Sequence, residues 1–565
     1  MQGKQIIECV PNFSEGRNQM TLDAIATVIK SVEGVKLLDV DPGKATHRTV
    51  FTFVGEPLPV IEAAYLAIEK AAELIDMSGH QGEHPRMGAT DVCPLIPVAN
   101  ITMEEVAQYA KQLAQRVGEQ LLIPVYLYEQ AATKPERKNL ATIRAGEYEG
   151  LATKIQQPEW HPDFGPAKFN AKSGATAIGA RDFLIAYNIN LNTTSVRRAN
   201  SVAFDVREQG RVIREGDPIT GKIVEDEQGN PVRQPGKCKG VKGIGWYIEE
   251  YGIAQVSMNI TDINQSSIHE VFEACCESAQ SRGMRVTGSE IIGLVPLKVL
   301  TEAGKYFLQK QERSTGVSES ELIKIAIKSM GLDELGEFDP QKKIIEYQLK
   351  SQSDRPLVNM SLSAFADETA SESVAPGGGS IAAYAGALGA SLGTMVANLS
   401  SHKRGWDHKW SYFSDWAEKG QKIKDQLLDL VDEDTKAFNK ILDAFRLPKG
   451  TETEKQLRKT AIQAATQYAV EIPLEVMRQS FKIFELAEEM VKEGNPNSVT
   501  DAAVGALCAR TAIHGAYLNV VINLSGIEDK AYLTKIQQEA DAIKLKCDEL
   551  ESQIMQLTQT IMSKS

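Results

Sequence analysis

KSQSDRPLVNMS, residues 350–361, separates two kinds of sequence within the 565-residue chain. The stretch is polar, carries Pro356 and shows no apolar period, which is the composition of a linker. Before it, strand-like runs alternate with runs at helical spacing; after it, strand-like alternation is scarce and long amphipathic helical patterns take over. The expected fold is therefore multidomain: two α/β (α+β sandwich-like) subdomains, then an all-α helical bundle. The expected limits are 1–183 and 184–349 for the subdomains, 350–356 for the linker and 357–565 for the bundle.

Outward from that divide, QIIECV, VKLLDV, TVFTFV, VCPLIPV and IPVYLY read as strands of the first subdomain. Leu58 to Met77 and Met103 to Glu119 read as its helices. FLIAYNINL opens the second subdomain, and WYIEEYGIAQVSMNI predicts a hairpin turning near Gly252. Helices are expected over Ser195 to Arg207 and Ile268 to Arg282. Val212 to Gly236, rich in Gly, Pro, Asp and Glu, reads as an inserted loop or small hairpin.

Composition narrows the function. The net charge of −13 argues against a general nucleic-acid binder, although a local basic patch can still take anionic substrates. Seven cysteines in irregular spacing, with no CxxC pair, give neither a disulfide framework nor a structural zinc site. The N-terminal sequence lacks the apolar core of a signal peptide, and the expected compartment is the cytoplasm. Ser373 to His402 has no formally charged side chain and is long enough to span a bilayer. Its Ala, Gly, Ser and Thr content contributes little transfer energy into lipid, so a closely packed buried helix is expected there and no membrane span.

The densest polar cluster is SGHQGEHPRMGATDVCP, Ser78 to Pro94, with His80, Glu83, His84, Arg86 and Asp91 in a glycine- and proline-shaped loop. HQGEH fits a metallopeptidase pattern that works only on a helix, and Gly82 and Pro85 oppose a helix; no metal is expected. A plain structural turn is the other local reading. In the last third, APGGGSIAA is a glycine turn opening a helix, where exposed N–H groups suit an anion or a carbonyl. It lacks the lysine of a nucleotide loop. On a helical wheel of Asp425 to Phe445, the residues Leu427, Leu430, Val431, Phe438, Ile441, Leu442 and Phe445 form one stripe. Asp434 falls inside the stripe, while Asp432, Glu433 and Lys436 are expected on the outer side. A carboxylate on an apolar face is costly unless paired or functional.

ECVPNFSEGRN, LLDVDPG, HRTVFTFVG, GEHPRMGATDVCP, IRAGEYEG, PDFGP, GATAIGAR, NINL and GIGWY occur in the order of glutamate formiminotransferases. VAPGGGSIAA, DEDTKAF, RLPKGT and NVVINL then follow the order of formiminotetrahydrofolate cyclodeaminases. Over nearly its whole length the chain resembles the fused formimidoyltransferase-cyclodeaminase family. The resemblance implies transfer of the formimino group of N-formimino-L-glutamate to tetrahydrofolate, then ring closure to methenyltetrahydrofolate with release of ammonia. Rival readings are a folate-binding scaffold that has lost an activity, and a metal-dependent hydrolase using His80 and His84.

The resemblance also assigns residues. His84 is the implied general base of transfer, and Asp434 the acid/base of ring closure. The implied folate segment is Gly165, Pro166, Ala167, Lys168, Phe169, Asn170, Ala171, Lys172, Ser173 and Gly174. Relatives often carry tryptophan where this chain has Ser173. Substrate contacts are expected from Asp41, Arg48 and Arg86 in the first region, and from Gly377, Gly378, Gly379, Ser380, Arg446 and Lys449 in the last. No cofactor is expected beyond tetrahydrofolate as co-substrate, with or without a polyglutamate tail. The implied assembly is a homo-oligomer of dimers, an octamer in animals.

Overall fold

The computed structural model describes residues 5–43, 47–82, 85–217, 220–349 and 355–563. The first sheet holds β1 (Ile6–Cys9), β2 (Asn12–Phe13), β3 (Val35–Gly43), β4 (Arg48–Gly55), β5 (Thr90–Ala99), β6 (Val125–Glu129) and β7 (Thr176–Ala180). Its order is β1-β4-β2-β5-β7-β6, with β3 paired to the outside of β4. β5, β7 and β6 run parallel; the other pairings are antiparallel. The apolar run of β5 is buried over its first seven residues, as a strand covered on both faces must be. The helices Gln19–Lys30, Pro57–Leu74 and Met103–Gln120 supply the covering Leu, Ile, Val and Ala side chains. Met103–Gln120 starts at a capping box in which Thr102 and Glu105 satisfy each other's backbone N–H groups.

The second sheet is antiparallel and four-stranded. Its strands are β8 (Ile185–Leu191), β11 (Val241–Ile248), β12 (Ile253–Ile260) and β13 (Val286–Ile292), in the order β11-β12-β8-β13. The hairpin read from WYIEEYGIAQVSMNI is β11–β12, and Gly252 takes φ +65° at its turn. The insertion forms a small hairpin of β9 (Arg211–Val212) and β10 (Arg233–Gln234).

The last part is helical. The helix Gly378–Ser401 packs against Trp410–Arg446 and Val499–Leu524. Glu452–Phe481, Ile483–Glu493 and Lys530–Met562 complete the bundle. Gly378–Ser401 is long and apolar enough to cross a membrane, but 61% of its most apolar window is buried inside the bundle, so its small residues serve helix packing.

Contacts gather the chain into two compact units: Met1–Val299 with Met330–Leu349, and Leu300–Ser329 with Lys350–Ser565. The segment 300–329 thus groups with the helical unit. In that unit the Thr315 backbone N–H donates to Ser414 Oγ at 3.0 Å, and Asn398 Nδ2 and Gln421 Nε2 donate to the Gly316 carbonyl at 2.9 and 3.1 Å.

Two expectations for Asp425 to Phe445 are corrected. Asp432 is not on an outer face: it is 2% exposed, and its carboxylate accepts the backbone N–H groups of Leu357 (2.8 Å) and Val358 (3.2 Å). It anchors the chain just past the linker, whose residues 350–354 lie outside the described ones. The apolar stripe is also cut short. Leu427 and Val431 are buried, whereas Phe438, Leu442 and Phe445 are exposed. From Ala437 on, a small cluster with Ala469 and Ile472 and the buried Ala444 continue the packing, so helical spacing overstated the buried length of the large apolar side chains. Asp432→Ala should destabilise the helical unit by about 1–3 kcal/mol, since a buried and a half-buried N–H group lose their acceptor. Urea unfolding measures this, and an unchanged midpoint would refute the anchoring role.

Candidate functional site

In the first unit the GEHPRMG loop and the segment expected to contact folate, Gly165 to Gly174, are neighbours. Gly88 bridges Gly174 in antiparallel fashion, and the Ala89 N–H donates to the Ser173 carbonyl at 2.9 Å. Gly174 has φ +65°, and a Cβ there would lie 2.1 Å from the Met87 carbonyl, so only glycine fits the crossing. Tyr148 ties the segment to the helix Glu147–Lys154: its hydroxyl donates to the Ala171 carbonyl at 2.6 Å, and its ring lies 5.4 Å from Phe169. Ser173 is buried, and Phe169 of the segment packs on a cluster that includes Tyr126 and Tyr128, with Tyr148 beside it.

His84 and Glu83 lie outside the described residues. Their surroundings do not. Arg86 is 7% exposed; it pairs with Glu147 (3.1 Å) and Glu149 (2.7 Å) and donates to the His80 carbonyl (3.1 Å). Its Nε donates to His80 Nδ1 at 3.3 Å, and His80 Nε2 faces the His47 carbonyl at 2.9 Å and donates to it. Burial draws the His80 pKa below the ordinary histidine value, in keeping with a neutral ring whose only lone pair takes the Arg86 N–H. That lone pair is then not free for a metal. The His47 ring stacks on His80 with centroids 4.3 Å apart, and its nitrogens face the Gln81 carbonyl and the Glu15 carboxylate.

Arg48 is also engaged. It and Arg144 both pair with the fully buried Asp91, whose other oxygen accepts the Met87 N–H at 3.0 Å. Arg48 donates twice more to Asn12 Oδ1, at 2.9 and 2.7 Å. Burial lowers the Arg48 pKa, and Asp91 works against that. Two guanidinium groups on one carboxylate leave a net positive charge at Asp91, while Arg86 between two glutamates leaves a net negative one beside it. Asp41 is exposed, two residues before Gly43, which pairs in register with Arg48.

A cleft of about 670 Å³ opens beside this network, lined by Pro85, Tyr128, Glu129, Arg144, Glu147, Arg181 and Lys242 among others. An adjoining hollow of about 470 Å³ is lined by Gln81, Gly82 and Arg86 and shares Gly146 and Glu147 with it. Glu129, Arg144, Arg181 and Lys242 were not read from the sequence. Pairing of β6 with β7 sets Glu129 beside Arg181, whereas Arg144 comes from the short helix Leu140–Arg144 and Lys242 from β11 of the second sheet.

In the helical unit Asp434 and the glycine turn meet. Gly377 caps Gly378–Ser401, and a Cβ on Gly379 would lie 2.2 Å from Asp434 Oδ1. Ser380 Oγ lies within hydrogen-bonding distance of Asp434 Oδ2 (3.2 Å) and of the Val431 carbonyl (2.9 Å). Burial raises the Asp434 pKa, and the Ser380 hydroxyl and backbone N–H partly offset this. Asn519 Nδ2 lies 3.4 Å from where a Gly378 side chain would begin. Arg446 and Lys449 are not part of this assembly. Arg446 is exposed beside Asp443, and its twelve-residue separation from Asp434 on one helix amounts to roughly 18 Å.

Comparison with known proteins places these sites in a family. A model of the formiminotransferase domain, N-terminal subdomain, matches residues 6–181, and one of the formiminotransferase domain matches 186–350. A formiminotransferase-cyclodeaminase model matches 361–542. The chain is 43% identical to the formimidoyltransferase-cyclodeaminase of Mus musculus, over 95% of this chain and 96% of that one. It is 41% identical to the glutamate formimidoyltransferase of Streptococcus pyogenes serotype M1, over 54% of this chain and 95% of that one. It is 32% identical to the methenyltetrahydrofolate cyclohydrolase of Methylorubrum extorquens, over 36% of this chain and 98% of that one. With both kinds of domain matched in one chain and a bifunctional relative aligned end to end, the chain belongs to the formimidoyltransferase-cyclodeaminase family.

Proposed function

We propose that the chain moves the formimino group of N-formimino-L-glutamate to tetrahydrofolate, then closes the product to methenyltetrahydrofolate and expels ammonia. The observation that carries this reading is the end-to-end match to relatives named for both activities. The two assembled loops, one in each unit, support it.

In the transfer step a folate secondary amine attacks the amidine carbon. The attacking nitrogen loses its proton, and the amino group of glutamate leaves with one. His84 is the proposed base, a role suited to a group that titrates near neutral pH. The arginines at Asp91 and the unpaired cations of the cleft suit the carboxylates of both substrates. In ring closure the second folate nitrogen attacks the formimino carbon and ammonia departs. Asp434, held toward its protonated form by burial, is the proposed acid. Folate carries the carbon throughout, so tetrahydrofolate enters as a substrate. A cytoplasmic homo-oligomer built of dimers is the proposed state. The Methylorubrum relative raises one other reaction for the helical unit, opening of the methenyl ring by water.

The test is a joint assay with formiminoglutamate and tetrahydrofolate, following methenyl-folate absorbance and ammonia together. Equal yields of the two are expected. No ammonia in this assay, together with decay of separately added methenyl-folate, would instead favour ring opening, and neither signal would overturn both readings.

A further inference from the structure

Glu129 ends β6 with φ +53°, a left-handed conformation that a glutamate adopts only at a cost. Of the non-glycine residues with positive φ, Glu129 and Glu147 line the large cleft. Glu147 has a partner, since Arg86 lies 3.1 Å from it. Glu129 has none: no described residue hydrogen-bonds its carboxylate or forms an ion pair with it. The group is partly buried, and that burial raises its pKa. An unpartnered, partly desolvated carboxylate on a strained backbone is a costly arrangement for a position with no role in packing.

The charges around it are informative. Glu129 pairs in register with Ala180 on the parallel strand β7, so Arg181 follows directly beside it at the strand ends. Lys242 of β11 lines the same cleft. Arg181, Lys242 and Lys138 act on Glu129 electrostatically, yet no ion pair engages Arg181 or Lys242 among the described residues. Beyond the carboxyl ends of two parallel strands, the cleft thus offers one open carboxylate beside two cations without an ion pair, of which Arg181 also donates to the Asp182 carbonyl at 2.8 Å.

We propose that Glu129 binds the amidinium of the formimino donor, with Arg181 and Lys242 taking the donor's carboxylates. An amidinium presents two coplanar N–H donors and a positive charge, which a carboxylate matches with two parallel hydrogen bonds. The pterin edge of folate presents a similar pair of N–H groups. In folate, however, the carboxylates lie at the far end of the molecule, whereas in the donor a carboxylate sits on the carbon that bears the amidine nitrogen. The closeness of Glu129 to the unpaired cations selects the donor. Holding the amidine by its two nitrogens also leaves the faces of its carbon open to the attacking amine.

This inference rests on reading the cleft as the transfer site, and full-length variants test the two separately. Glu129→Gly should raise the KM for formiminoglutamate by about tenfold to a hundredfold, the loss of a charge-assisted pair of hydrogen bonds. Tetrahydrofolate affinity should stay within about twofold. The melting temperature should hold or rise, because glycine takes φ +53° without strain. Lys242→Met should raise the same KM. If Glu129→Gly leaves the donor KM unchanged while Lys242→Met raises it, the role of Glu129 is wrong and the cleft is right. If neither moves it, the cleft is not the transfer site. If Glu129→Gly weakens only folate, the carboxylate reads the pterin edge and the donor assignment fails.

Discussion

Asp434→Asn should let transfer proceed and halt ring closure, so that formimino-folate accumulates. The side chain keeps its shape and still accepts from Ser380, but it has no carboxylic proton to give. Losing a general acid costs on the order of a hundred- to ten-thousandfold in rate. Because burial raises the Asp434 pKa, protonation favours the folded chain. That contribution is present below the ordinary aspartate value and is lost as pH rises through the raised one. The donating fraction falls over the same window, so ring closure by the parent enzyme should slow on the alkaline side, and the variant should lack that limb. Asp443→Asn is the control, because its surface pair with Arg446 is worth little. Asp432 cannot serve as one, since it anchors Leu357 and Val358. Ammonia released by Asp434→Asn at the parent rate would end the assignment.

His84→Ala should abolish transfer and spare closure of added formimino-folate. The loss expected for a general base is again about a hundred- to ten-thousandfold. His80→Ala should cost less directly, yet it removes the acceptor of Arg86 Nε and the ring stacked on His47. Arg86 then loosens from the loop, and donor and folate KM should both rise. Equal loss in both histidine variants, recovered by added zinc, would revive the hydrolase reading.

Much of the fold was legible because its strands are apolar runs with clear punctuation: TVFTFV and VCPLIPV became β4 and β5 almost to the residue. The pairing of Asp434 with the glycine turn was half legible. Helical spacing marked the carboxylate, but nothing local showed that Gly379 would pack on it. Asp432 was misread because one apolar stripe describes one partner, and here the chain at Leu357 and Val358 covers a second side of the helix. Arg48 and Arg86 were legible as cations and not as occupied ones, since Asp91, Glu147 and Glu149 claim them. Glu129, Arg181 and Lys242 lie up to 113 positions apart, and no local pattern encodes their meeting.

The grouping of residues 300–329 with the helices has a consequence for synthesis. Thr315 and its partner Ser414 are 99 positions apart, and Gly316 presses so closely on Ala417 that a Cβ would lie 2.3 Å from that residue's side chain. At roughly 5–20 residues per second, this segment leaves the ribosome roughly 5–20 s before its seat exists. In that interval Gly316 has no helix to rest on and its carbonyl no amide to receive. A nascent chain arrested before Ser414 should therefore show this segment cut by protease, and one arrested after the bundle is complete should show it protected.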